Sequence, residues 1–156
     1  MTLAEGFARM QLKTTRFGLV EIQSDDVIHF PAGLIGLEHC RQWVLLADAA
    51  NDALAWLQCV SEPEVALAVV SPGRFVPGYQ VRVYRGELAP LQLQSVRNAQ
   101  VLAVVGKNES KLTLNLKAPL VINLDRRAGR QVIVNSDEPT QFELSPGGPA
   151  VLRKSA

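Results

Sequence analysis

Four side chains in one short stretch of this sequence could hold a metal or move a proton: His29, Glu38, His39 and Cys40. Imidazole nitrogen, thiolate sulfur and carboxylate oxygen together make up the usual zinc donor set. The spacing argues against that use. The histidines are ten positions apart across a proline- and glycine-containing loop, and none of the ligand pairs has a zinc-motif separation. His29 continues an apolar strand-like run and His39 sits in a polar turn, so surface or structural roles are expected for both. There is no glycine-rich phosphate loop, no G-x-G-x-x-G and no G-x-S-x-G. The reading is therefore of a protein that is not an enzyme and uses no cofactor. Cys40 and Cys59 are the only cysteines and are expected to be free thiols packed as small apolar residues, not a disulfide.

The elements that would carry these residues follow from composition. With 156 residues, the chain has the length of one domain, and chains of this size bury ~68–70% of their unfolded surface. An apolar content of 47% with 20% charged residues reads as a globular protein. No apolar run approaches the ~20 residues of a membrane span. The N-terminal residues lack the pattern of a signal peptide, so a cytoplasmic location is expected. Net charge is +1 overall, but residues 1–78 hold nine acidic against five basic side chains, and residues 79–156 hold eleven basic against six acidic. If folding keeps the halves apart, one acidic face could steer toward a basic protein.

Period-two alternation and short apolar runs predict strands at 10–14, 20–23, 27–30, 43–46, 54–60, 65–70, 81–84, 101–105, 112–116, 120–124 and 131–134. Pro31, Gly33 and Gly36 mark a loop, residues 38–42 a turn of helix, and residues 87–96 a short helix. The segment 125–129 reads as a hairpin loop with Gly129 supplying a positive φ. The fold class expected is all-β: a small, single-domain, barrel-like fold over residues 1–145 with one or two short helical segments. Phe142 and Leu144 are expected to dock, and residues 146–156 to form a disordered tail. A β-barrel with the basic cluster Arg126, Arg127 and Arg130 also leaves open an oligonucleotide-binding reading.

Three segments carry a more specific signal. Residues 27–38, Val-Ile-His-Phe-Pro-Ala-Gly-Leu-Ile-Gly-Leu-Glu, resemble a family segment in which a strand leads into a Gly-Leu-Pro-Gly-Phe-Glu loop. Residues 57–67 look like the same family's Leu-Gln-Ser strand and Pro-Glu-Leu-Ala-Phe continuation. The strongest is 112–123, Leu-Thr-Leu-Asn-Leu-Lys-Ala-Pro-Leu-Val-Ile-Asn, followed at Gly129-Arg130-Gln131 by a glycine-basic-glutamine strand start. In this order, over residues 17–135, the chain resembles the flagellar assembly factor FliW family.

That resemblance implies a non-catalytic β-barrel that binds flagellin in the cytosol and antagonises CsrA, the translational repressor of flagellin mRNA. It implies partner exchange by mass action, with no direct nucleic-acid contact, no membrane, and a monomer when unbound. The acidic N-terminal half, with Glu38, Glu62 and Glu64, suits a basic RNA-binding partner. The apolar loop residues Phe30, Leu34, Ile35 and Leu37 are candidates for capturing amphipathic flagellin ends. Asn115, Pro119 and Asn123 match the strongest motif; Asn and Gln inside a sheet more often satisfy backbone groups than touch a partner. The chain departs from the family pattern at Ile35 (usually proline), Leu37 and Leu67 (usually phenylalanine), Cys59 (commonly serine) and Gly78 (commonly an acid). Ile35 and Gly78 lie in loops, so they bear on partner choice more than on fold.

Overall fold

The computed structural model describes residues 8–144; the tail expected at 146–156 lies outside them. Eleven strands succeed one another: β1 (Arg9–Thr14), β2 (Gly18–Gln23), β3 (Ile28–His29), β4 (Gln42–Ala47), β5 (Ala55–Cys59), β6 (Ala66–Val70), β7 (Ala99–Lys107), β8 (Leu112–Leu114), β9 (Leu120–Asn123), β10 (Ala128–Gln131) and β11 (Phe142–Glu143). Seven of them, in the order β3-β4-β5-β6-β7-β9-β10, close a barrel as β10 returns to β3. That last seam is parallel, with Ala128 opposite His29; the other six are antiparallel. Among the described residues no helix is long and apolar enough to cross a membrane.

Strand β7 makes closure possible because it is the longest. Its first residues, Ala99 to Leu102, pair with β9, and Val105 to Lys107 pair with β8. The apolar run 112–123 therefore lies along β7 as two strands. What divides it is Asn115, whose Oδ1 accepts the backbone N–H groups of Lys117 and Ala118 at 3.1 and 3.0 Å. This Asx turn lets the chain detour through Pro119 and rejoin β7. β11 then adds to β8, so the barrel wall carries a short extension.

Side chains alternate between the barrel interior and three outer layers. Ile28, Phe30, Trp43, Leu57, Cys59, Val69, Leu102, Leu120 and Ile122 fill the interior. Val44, one position from Trp43, points the other way and is covered by Leu12, Ile22 and Val27 from the β1–β2 hairpin and the turn after it. Val70, Ala103 and Leu114 are covered by Phe75, Tyr79, Phe142 and Leu144. Val121 is covered by Leu91, Val132 and the segment from Val81 to Leu93. Strands buried on both faces read as continuous apolar runs, as in β4, β6 and β9. Both cysteines are free and buried, as expected.

Several elements differ from expectation. Residues 81–84 form no strand: Val81 and Val83 pack inward, but the segment bonds through the Arg82 carbonyl, which accepts from Asn135 N–H at 2.7 Å. Residues 87–96 form no continuous helix. They hold separate 3-10 turns beginning at Arg85–Glu87 and Ala89–Leu91, interrupted where Gln92 takes a φ of 50°. Residues 38–42 form a hydrogen-bonded turn running into β4 rather than a turn of helix. The last barrel strand begins at Ala128 and ends at Gln131, earlier than the apolar residues Val132 to Val134 suggested.

Gly129 was expected to relax a hairpin loop. The positive φ there belongs to Arg127, at 51°, and Gly129 lies inside β10. Its lack of a side chain serves a different purpose. A Cβ at this position would meet the Phe30 ring, whose carbons stand 2.7 and 2.8 Å from that point. Phe30 is fully buried and has nowhere to retreat. We predict that Gly129→Ala destabilises the fold by about 1–3 kcal/mol, the usual cost of overpacking. Urea unfolding checks this, and adding Phe30→Leu should recover part of the loss; a neutral Gly129→Ala would refute the packing argument.

Candidate partner-binding surface

The loop between β3 and β4 is the most heavily braced irregular segment in the described chain. Gly33 has a φ of +67°, and a Cβ there would come within 2.5 Å of the Glu38 carbonyl, so the loop can fold back only on glycine. Leu34 and Leu37 then form an isolated antiparallel bridge, with N–H to carbonyl contacts of 3.3 and 2.8 Å. Gly36 N–H donates to the Glu38 carboxylate at 2.8 Å. Ile35 at the tip donates its N–H to Gln131 Oε1 at 2.8 Å, while Gln131 Nε2 donates to the Ala118 carbonyl at 3.0 Å. One glutamine thus ties the loop tip to both β10 and the approach to β9.

This bracing presents Ile35 outward. It is 63% exposed, whereas Phe30 and Leu34 are buried and Leu37 packs partly against the core. Phe30 and Leu34 belong to the barrel interior, which leaves Ile35 as the exposed apolar side chain of this loop. Near the start of the same loop is a mainly apolar groove of about 310 Å³, lined by Pro31, Ala32, Pro90, Leu91, Ala128 and Gly129, with Arg130 at its side. A second depression of about 460 Å³ lies over β9 between Val81, Leu88, Leu93, Val101 and Val121, beside Val96, which is 88% exposed.

The charged candidates divide into free and engaged groups. Among the described residues Glu64 is exposed and free, while Glu38, also exposed, is engaged by the Gly36 N–H within its own loop. Glu62 is half-buried, and its Oε2 accepts from the Cys40 thiol and contacts His39 Nε2, both at 2.9 Å. The thiol hydrogen bond, then the imidazole, hold the Glu62 carboxyl below the usual carboxylate range, while burial first, and then the bond to Glu62, push the Cys40 thiol well up. The strands of the acidic half, β3 to β6, run contiguously round the barrel, so the two halves of the chain do not interleave. The basic cluster is partly consumed by the fold. Arg127 donates to the Asp26 carbonyl at 2.8 Å, and Arg130 pairs with Glu87 at 3.5 Å.

The motif asparagines serve the backbone. Asn123 is buried; its Nδ2 donates to the Leu91 carbonyl at 2.8 Å and its Oδ1 accepts from Asp125 N–H at 3.1 Å. Asn115 makes the turn described above, and Pro119 is buried beside it. Two features escaped the sequence reading. Gln131 matched a motif, but its reach to Ile35, 96 positions earlier, has no local signature. Glu62 reads in the sequence as an acid facing a basic partner, and nothing in its spacing, 22 residues from Cys40, points to their contact. Gln58 belongs with them. It is fully buried, and its Nε2 faces the carbonyls of Cys59, Pro63 and Val65 at 3.1 Å, gathering the turn that carries Glu62.

Comparison with known proteins agrees with this architecture over nearly its whole length. The family model described as FliW protein matches residues 11–144. The flagellar assembly factor FliW of Bdellovibrio bacteriovorus is 35% identical over 130 residues, covering 82% of this chain and 74% of that protein. The one from Moorella thermoacetica is 36% identical over 134 residues, covering 84% and 85%. A solved structure, described as the crystal structure of the flagellar assembly factor FliW, superposes with a TM-score of 0.80 at 28% identity, covering 88% of this chain and 98% of that one. The matched span holds the closed barrel, the glycine-braced loop and the Asn115 turn, and on that basis the chain belongs to the FliW family.

Proposed function

We propose that this chain is a non-enzymatic flagellar assembly factor that binds flagellin in the cytosol and, when flagellin is absent, binds CsrA and relieves its repression. Membership of the FliW family supports the assembly role, since its relatives are named flagellar assembly factors. The observation that carries the binding role is Ile35, an exposed apolar side chain held on the braced tip of a loop whose first residues, Pro31 and Ala32, line a mainly apolar groove. A loop whose backbone is already fixed loses little conformational freedom when a partner docks, so more of the contact energy appears as affinity. An amphipathic flagellin end would lay its apolar face against Ile35 and the groove. Glu38 and Glu64 would steer a basic repressor, acting mainly on association rate. The protein acts as a monomer when unbound, and exchange between partners needs no cofactor, only mass action.

Titrating the purified chain with flagellin, with CsrA, and with both together tests this reading; binding of neither would overturn it. We predict that Ile35→Asp weakens flagellin binding tenfold or more and leaves the unfolding midpoint unchanged, because the side chain lies outside the core. Glu38→Lys with Glu64→Lys should slow CsrA association several-fold at low ionic strength, and the difference should shrink as salt screens the charges. Stopped-flow rates at two salt concentrations measure it; equal rates at low salt would show that these acids face away from the partner.

A further inference from the structure

The contact between His39, Cys40 and Glu62 has a chemistry that partner binding does not use. An imidazole nitrogen, a thiol sulfur and a carboxylate oxygen converge so that all three donor atoms lie within 4.8 Å of one another. One oxygen, Glu62 Oε2, stands 2.9 Å from both the sulfur and the imidazole nitrogen. The groups arrive from separate elements: His39 and Cys40 from the turn before β4, and Glu62 from the turn after β5. We propose that His39, Cys40 and Glu62 form a binding site for a thiophilic divalent cation, zinc above all.

Donor type decides the metal. A nitrogen, a sulfur and a single carboxylate oxygen suit zinc and disfavour magnesium and calcium, which take oxygen ligands. Tetrahedral zinc takes sulfur at ~2.3 Å and nitrogen or oxygen at ~2.0–2.2 Å, which sets its ligands roughly 3.3–3.6 Å apart. The two 2.9 Å contacts would open by about 0.4–0.7 Å to reach that spacing, and the sulfur and imidazole nitrogen already lie within 4.8 Å of each other. Charge also fits. The Cys40 thiolate and Glu62 carboxylate carry two negative charges, which a divalent ion neutralises. Without the ion, burial and the neighbouring carboxylate keep the thiol protonated.

The supporting residues are already in place. Cys40 N–H donates to the Leu37 carbonyl at 3.0 Å, and the Trp43 indole donates to the Cys40 carbonyl at 2.9 Å. Gln58 Nε2 faces the Glu62 carbonyl at 3.4 Å. Such backbone anchoring fixes ligands before the metal arrives. The site is reachable, since the His39 side chain is 63% and that of Glu62 33% exposed, while sulfur lies at its base. A water can take the fourth position, as in zinc sites with three protein ligands. On binding, the Cys40 S–H bond breaks, its proton passes to solvent, and sulfur, nitrogen and oxygen each donate an electron pair to the ion; nothing is oxidised or reduced.

Cobalt(II), added to the reduced full-length chain, is the probe. We expect a saturable one-to-one thiolate-to-cobalt band in the near ultraviolet with tetrahedral bands in the visible, both displaced by zinc. One thiol proton should be released per ion bound, read as acidification of a weakly buffered solution. Cys40→Ser should abolish the ultraviolet band. His39→Ala, an exposed change that leaves the core alone, should weaken binding by at least the 10–100-fold seen for lesser perturbations of metal sites. Glu62→Gln should weaken it similarly. Absence of a thiolate band under excess cobalt, or a band that survives Cys40→Ser, or an unchanged affinity in His39→Ala, would overturn the assignment.

Discussion

The barrel depends on one intimate contact, the Phe30 ring seated where Gly129 has no side chain. This is the parallel seam, a single residue pair long, and the place where the closed wall would most easily open. Backbone hydrogen bonds on either side align it: His29 N–H donates to the Arg127 carbonyl and Phe30 N–H to the Arg41 carbonyl, each at 2.8 Å. A large ring buried against bare backbone supplies what so few ladder bonds cannot, since aromatic burial contributes more than any one hydrogen bond. The bend that follows Phe30 then follows from packing. The chain must turn away at once, and Pro31 and Gly33 let it.

From that seam the exposed loop inherits its order. Gln131 is two residues beyond Gly129 on β10, so the strand that closes the barrel also grips the tip at Ile35. The adjacent turn after β5 is gathered by Gln58 from beneath and tied laterally to Cys40 through Glu62. Two irregular segments, far apart in sequence, are thereby held at one corner of the barrel by side chains that point inward. The exposed Ile35 tip and the turn that carries Glu62 owe their order to two amides, the half-buried Gln131 and the fully buried Gln58.

Much of this was legible in the residues. Most of the expected strands formed, and Asn115 and Asn123 satisfy backbone groups as amides inside a sheet usually do. What failed was information that exists only after folding. Val81 and Val83 alternate like a strand, yet no neighbouring strand is there to pair with them, and packing alone produces the same pattern. Gly129 read as a loop glycine because glycine's usual meaning is a free φ; its meaning here is volume, which depends on a ring 99 positions away in sequence. Phe30 and Leu34 looked like loop residues available to a partner because proline and glycine surround them, but the loop folds back and buries both. Cys40 and Glu62 are joined by the β4–β5 register, which no local spacing encodes.

The wall's extension past β7 ends in β11, two residues long. An open sheet margin invites another chain to add to it, strand upon strand, and the invitation scales with the number of successive unpaired backbone groups. Two residues provide almost no template. Among the described residues the sheet therefore ends where self-propagating assembly has the least purchase.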